Sequence, residues 1–124
     1  MTIQQLYEKI GGNYDQAVRV MKKDKLIDKY VRKLRDSDVG DLMAQARQTM
    51  DGGKLFESAH AMKGVCANLG LDVLAGAADE ITEEFRPGNP RRLSDDAAGE
   101  KIDALLKRYR DTVQGIAEYE AANG

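Results

Sequence analysis

The sequence has one cysteine, one histidine and no tryptophan. The single cysteine, Cys66, excludes an intrachain disulfide and a zinc site made of several cysteines. The single histidine, His60, excludes every site that needs two imidazoles. An excess of positive charge is also missing, since 19 Lys and Arg stand against 21 Asp and Glu and give a net charge of -2. This near-balance argues against nucleic acid as a partner, because nucleic-acid-binding domains usually carry a clear basic excess.

Long apolar runs are absent too. The N-terminus, MTIQQLYEKIGG, lacks the basic start and apolar run of a signal peptide, and no stretch approaches the roughly 18 apolar residues of a membrane span. We therefore expect a soluble cytoplasmic protein with no membrane partner. The 124 residues, 42% of them hydrophobic, fit one domain, residues 1–124, with one core. The starting Met and this length lead us to expect a complete small protein.

Apolar residues recur at helical spacing in every segment between breakers, while alternating strand patterns are nearly absent. The spacing predicts six helices, whose apolar positions span residues 3–10, 17–34, 39–50, 55–69, 71–85 and 102–116. Glycines at 11–12, 52–53 and 70 are predicted to end three of them, Gly70 in the left-handed conformation favoured there. Ser37 and Ser94 are predicted N-caps.

The predicted helices are joined mostly by short connections. Consecutive helices joined so tightly run antiparallel, and each carries the single apolar stripe that a bundle requires. The sequence therefore predicts an all-α fold, an up-down four-helix bundle with one or two extra N-terminal helices.

The only histidine lies on the solvent side of the fourth predicted helix. At about 100° per residue, one half of that helix is apolar and faces the core: Leu55, Ala59, Met62, Val65, Cys66 and Leu69. His60 lies near the middle of the opposite half. A lone histidine is more often structural, but a structural histidine usually lies at the edge of a core. An imidazole in water is substantially neutral at pH 7, and its free nitrogen is a nucleophile.

The neighbours of His60 on that face suit such chemistry. Lys63 can place an ammonium near a group carried by His60, although a solvated surface lysine is the simpler interpretation of Lys63 alone. Gly64 costs about 1 kcal/mol relative to alanine inside a helix, and its missing side chain leaves room for another molecule. Ala67 extends this bare strip. Phe56 is an apolar ring on a polar face, and the pattern leaves open whether it docks a partner or is covered by the preceding or N-terminal helices.

Residues 59–70, AHAMKGVCANLG, resemble the signature of the histidine-containing phosphotransfer (HPt) family. That signature has a histidine, an aliphatic residue two positions later, Lys-Gly, and a glycine ten positions after the histidine. Here these are His60, Met62, Lys63, Gly64 and Gly70. The glycine pairs at 11–12 and 52–53 and a long amphipathic helix after the histidine are also similar, so the resemblance spans about residues 10–85. The last helix is similar only in being amphipathic.

The resemblance implies an intermediate of a phosphorelay. Such a protein takes a phosphoryl group from an aspartate of one receiver domain, holds it on a histidine and passes it to another receiver. It implies that His60 is the phosphoacceptor and that Lys63 offsets phosphate charge, and we assign Phe56, Gly64 and Ala67 to the partner contact. We expect a monomeric carrier rather than an enzyme. The sequence shows no P-loop, kinase glycine loop or acidic Mg²⁺ cluster on a strand.

The expected partners are the receiver domains of a hybrid sensor kinase and of a response regulator. No cofactor or metal is expected on this chain, while Mg²⁺ is expected on the partner receiver. Two alternatives stay open. One is a non-catalytic helical adaptor that binds receivers or other signalling proteins without relaying phosphate. The other is a phosphotransfer module of a larger hybrid or chemotaxis-type kinase.

Other chemistries fit the residues less well. Glu57 and His60 form a Glu-x-x-His pattern, but di-metal bundles need two such motifs that point into the core. Cys66 is predicted to be buried and inert, which argues against a cysteine hydrolase. No serine is marked as a partner of His60. The pair Arg91-Arg92 is interpreted as a solvated loop rather than a partner contact.

Overall fold

A computed structural model describes residues 1–124 and contains seven helices and no strand. The helices are α1 (Ile3–Ile10), α2 (Tyr14–Met21), α3 (Asp24–Asp36), α4 (Val39–Thr49), α5 (Gly52–Asn68), α6 (Asp72–Phe85) and α7 (Asp95–Asn123). The prediction of an all-helical fold is confirmed. None of the seven helices has both the length and the apolar character needed to cross a membrane.

Helices α4 to α7 form an antiparallel four-helix bundle. Each packs against two of the others around a ring, so that α5 and α7 stand diagonally opposite. Ion pairs between neighbours mark the antiparallel register, with Lys63 of α5 beside Asp79 of α6 and Arg47 of α4 beside Asp103 of α7. The core is one cluster of 27 buried apolar residues. It follows that one face of α5 is buried and its opposite face is free.

The N-terminal part contains three short helices, where one or two were expected. The predicted helix over 17–34 is divided, because Lys22 adopts a left-handed φ of 72° between α2 and α3. Neither glycine nor proline marks this break in the sequence. The Tyr14 hydroxyl donates a hydrogen bond to the Asp24 carboxylate across it. The break therefore depends on contacts between the two helices rather than on a local breaker residue.

The N-terminal helices are anchored on the C-terminal end of α5. The Tyr7 hydroxyl donates to the carbonyl of Leu69 at 2.6 Å, and the Asn13 amide donates to the carbonyl of Gly70 at 2.8 Å. Gly70 has the predicted left-handed φ, 67°. Amides of Gly70 and Leu71 donate to carbonyls in the last turn of α5, a Schellman arrangement that ends the helix.

Two of the predicted helix ends are wrong. Gly52 and Gly53 do not end α4, which ends at Met50 with a φ of 52°; they form the first turn of α5 behind the N-cap Asp51. Ser37 is the C-cap of α3 rather than the N-cap of α4, although its hydroxyl accepts a hydrogen bond from the backbone amide of Val39 at 3.2 Å. Ser94 is the N-cap of α7, as predicted.

Candidate functional site

His60 lies in the middle of α5 on the face that points away from the core. The residue is exposed, whereas Leu55, Ala59 and Met62 on the other face are completely buried. The buried face fixes the rotation of α5 about its axis, because apolar side chains at helical spacing must all turn inward together. Packing of α5 therefore presents the imidazole to solvent on a rigid element.

The ring of Phe56 stacks on the imidazole of His60. The two ring centres are 5.7 Å apart and the planes differ by 14°. The guanidinium of Arg86 also lies over the ring of Phe56, 5.2 Å from the ring centre. Phe56 is half-buried against the edge of the core, and Arg86 rather than an N-terminal helix lies over it. The aromatic ring thus limits the orientations open to the imidazole.

Lys63 is paired rather than free in solvent. Its Nζ lies 2.8 Å from Oδ1 of Asp79 on α6, and the two side chains are 39% and 45% exposed. Sequence reasoning identified Lys63 but missed Asp79. No local signal could have found Asp79, because only the packing of α6 on α5 brings it within reach of Lys63.

A second ion pair adjoins the first on the same side of α6. Arg86 donates to Glu83 through Nε at 3.0 Å and Nη2 at 2.9 Å. The hydrogen bond from Arg86 lowers the pKa of the Glu83 carboxyl, and Lys63 adds a smaller effect in the same direction. The two ion pairs, Lys63–Asp79 and Arg86–Glu83, thus give each of these cations a carboxylate partner.

The strip next to His60 carries little side-chain bulk. A Cβ atom placed on Gly64 would meet no atom within 4 Å, so no neighbouring helix covers this turn. Ala67 is exposed one turn further along α5. The structure therefore places Phe56, Gly64 and Ala67 on the same open face as the histidine, with room for another molecule to approach.

Val65 does not point into the core, contrary to the prediction. It is 41% exposed, because it lies at the edge of the apolar stripe where α2 and α3 leave a gap against α5. An apolar hollow of about 520 Å³ occupies this gap. Its apolar lining is formed by Val20, Met21, Tyr30, Leu34, Val65 and Leu69. The hollow lies beside Asn68, two turns after His60.

Other reactive groups in the chain are not placed for chemistry. Cys66 is completely buried, and burial raises the pKa of its thiol to about 12. A thiol of that kind is almost entirely protonated at neutral pH and is a poor nucleophile. No group of three or more His, Cys, Asp or Glu residues could hold a metal ion. Arg91, interpreted as part of a solvated loop, instead binds Glu84 and Asp95.

Comparison with known proteins gives one match. A protein-family model described as "Hpt domain" matches residues 29–115. No curated protein and no solved structure matches the chain. The matched range begins within α3 and extends through α4, α5 and α6 far into α7, so it contains His60 and the whole open strip. It excludes the glycine pair at 11–12 and includes most of the last helix, unlike the resemblance over residues 10–85.

Proposed function

Because this chain belongs to the Hpt domain family, whose members are histidine phosphocarriers in phosphorelays, we propose that His60 is the residue that carries the phosphoryl group. One observation carries this proposal: the only histidine in the sequence lies exposed at the centre of α5, with its ring stacked on Phe56. Any phosphohistidine on this protein must therefore form at that position.

The proposed reaction has two steps, each a transfer to a new nucleophile. A neutral ring nitrogen of His60 attacks the phosphorus of an aspartyl phosphate on a receiver domain. The N–P bond forms as the P–O bond breaks, and the bonding pair leaves with the aspartate oxygen. The attacking nitrogen has no proton to lose, and the other ring nitrogen keeps its own. An aspartate oxygen of a second receiver then attacks, and the N–P pair returns to the imidazole.

The chain contributes position and part of the charge stabilisation. Phosphoryl transfer needs in-line approach of the nucleophile and positive groups that neutralise the charge on the equatorial oxygens. Phe56 restricts the imidazole, Lys63 offers an ammonium, and Gly64 and Ala67 leave room for the receiver. The divalent cation, Mg²⁺, is expected on the receiver, whose residues would supply the remaining catalytic groups.

The partners we propose are the receiver domains of a hybrid sensor kinase and of a response regulator. We propose that this chain binds them as a monomer in the cytoplasm. The open strip of Phe56, Gly64 and Ala67 is the proposed contact around His60. The apolar hollow beside Val65 adjoins Asn68, two turns after His60 on α5, and is proposed to accept an apolar side chain of the receiver.

A three-component transfer assay tests the proposal. A receiver domain from the same organism is labelled with radioactive phosphate on its aspartate, freed of donor, and mixed with this chain and a second receiver. Relay predicts acid-labile, base-stable label on this chain, followed by label on the second receiver that depends on the chain. A helical adaptor would co-elute with the receivers and take up no label, and that result would contradict the proposed function.

A further inference from the structure

We propose that Asp79 is a positioning residue that draws Lys63 away from the phosphoryl group on His60 and so keeps that group easy to discharge. This inference rests on the proposed function of His60. It concerns α6, a helix that contributes none of the residues of the histidine signature. The observation behind it is the ion pair between Lys63 and Asp79, at 2.8 Å.

Lys63 has two anionic sites within its range. Residues three apart on a helix are surface neighbours, with Cβ atoms about 5–6 Å apart, so the Lys63 ammonium can reach a phosphoryl group on His60. Such a group brings roughly two negative charges. In the unphosphorylated protein the ammonium is bound by Asp79 instead. Contact with the phosphoryl group therefore requires Lys63 to leave Asp79 or to share its charge with it.

Arg86 is not free to replace Lys63, because both its Nε and its Nη2 donate to Glu83. Its guanidinium also lies over the ring of Phe56, 5.2 Å from the ring centre. Asp79 and the phosphoryl group therefore compete for the ammonium of Lys63.

The size of the effect follows from exposure. Lys63 and Asp79 are both partly exposed, and ion pairs of that kind contribute little because water screens them. We expect the competition to change phosphohistidine lifetime by about two- to fivefold. A modest loss of stabilisation suits a carrier, since a phosphohistidine held too firmly would not pass its phosphoryl group to the next aspartate.

The test needs no receiver. Phosphoramidate, a P–N phosphodonor, is used to phosphorylate the wild-type chain and the variants Asp79→Asn, Lys63→Ala and the double variant. After removal of the donor, the decay of the phosphohistidine signal is followed by ³¹P NMR. The matched control is Glu80→Gln, which removes the neighbouring carboxylate on α6. Glu80 pairs with Lys101, at 3.2 Å, and not with Lys63.

Asp79→Asn should lengthen the lifetime about two- to fivefold, and Glu80→Gln should leave it unchanged. In the Lys63→Ala background the effect of Asp79→Asn should be lost, which a purely structural role would not produce. An unchanged lifetime in Asp79→Asn, or an equal effect with and without Lys63, would overturn the inference while the carrier function stood. A chain that takes up no phosphoryl group on His60 would overturn both.

Discussion

The imidazole of His60 and the ring of Phe56 lie nearly parallel, 14° apart in plane and 5.7 Å apart in centre. The two residues are one helical turn apart on α5. Because Phe56 also packs against the edge of the core, it connects the exposed histidine to the rigid part of the bundle. Its contribution is to hold the nucleophile in a limited set of orientations before a receiver arrives.

Phe56→Leu should slow phosphoryl transfer to His60 several-fold, because the imidazole loses the flat surface that restricts it. Its cost in stability should be about 1 kcal/mol, the usual worth of an aromatic pair beyond its burial. Transfer rate and urea unfolding are measured on the same preparation. Phe85→Leu is the matched control, since Phe85 also lies under an arginine, Arg91, at 4.2 Å but is buried away from His60.

The two variants should separate stability from transfer. Phe85→Leu should destabilise the bundle and leave the transfer rate of the folded protein unchanged. Equal transfer rates in Phe56→Leu and the wild type would show that the stacking has no part in the reaction.

Gly64 gives a prediction with two effects of opposite sign. Because a Cβ at Gly64 meets no atom, Gly64→Ala should raise stability by up to about 1 kcal/mol and the melting temperature by a few degrees. Gly64→Gln should keep the fold but lower transfer several-fold, since the longer side chain stands where the receiver must approach. Thermal unfolding and transfer are measured on both variants.

Three further substitutions control this experiment. Gly76→Ala on α6 is equally open and should give the same gain in stability. Gly40→Ala should instead destabilise, because its Cβ would lie 2.7 Å from the Tyr109 ring. Ala104→Gln adds the same side chain to an exposed position of α7, the helix diagonal to α5, and should not affect transfer. A fall in melting temperature for Gly64→Ala would contradict an open strip.

The sequence was sufficient to predict which face of α5 carries His60. Helical periodicity alone separates that face from the buried one. The left-handed conformation of Gly70 was also predictable, because a glycine directly after a helix is a local signal for it. Periodicity did not predict the exposure of Val65 at the stripe's edge, because that depends on how far α2 and α3 extend over it. The division at Lys22 has no local breaker and was missed for a similar reason.

The partners of the site residues could not be predicted. Asp79 and Arg86 are distant from His60 in the sequence and reach its surroundings only through the register between α5 and α6. A single sequence does not specify that register. Nothing in it therefore identified Asp79 as the partner of Lys63 or Arg86 as the residue that lies over Phe56. The functional interpretation of His60 itself depended on the family signature around it.

Glu84 connects the end of α6 to the loop before α7. Its Oε2 accepts hydrogen bonds from Arg91 Nε at 2.7 Å and from the amides of Arg92 and Leu93 at 3.0 Å each. Burial by itself opposes ionisation, but the hydrogen bonds from Leu93, Arg91 and Arg92 outweigh it and lower the pKa of the Glu84 carboxyl. The ionised form therefore stabilises the folded state.

This pKa shift predicts a loss of stability in acid. A carboxyl with a lowered pKa contributes stability above its unfolded value, near 4.5, and that contribution disappears as the pH falls through the folded value. Glu84→Gln should cost about 1–3 kcal/mol at pH 7, and its difference from the wild type should shrink towards pH 3. Urea unfolding at both pH values checks this. An equal difference at both would contradict it, and Glu100→Gln, at an exposed carboxyl of α7 that forms no ion pair, is the control.

The central claim is that one exposed histidine carries the phosphoryl group. The most direct measurement compares wild-type chain with His60→Gln after incubation with a radiolabelled, phosphorylated receiver domain. Acid-labile, base-stable label should appear on the wild type and be absent from His60→Gln, while the helical circular dichroism of both stays the same because His60 is exposed. Label of that kind persisting on a folded His60→Gln protein would contradict the claim.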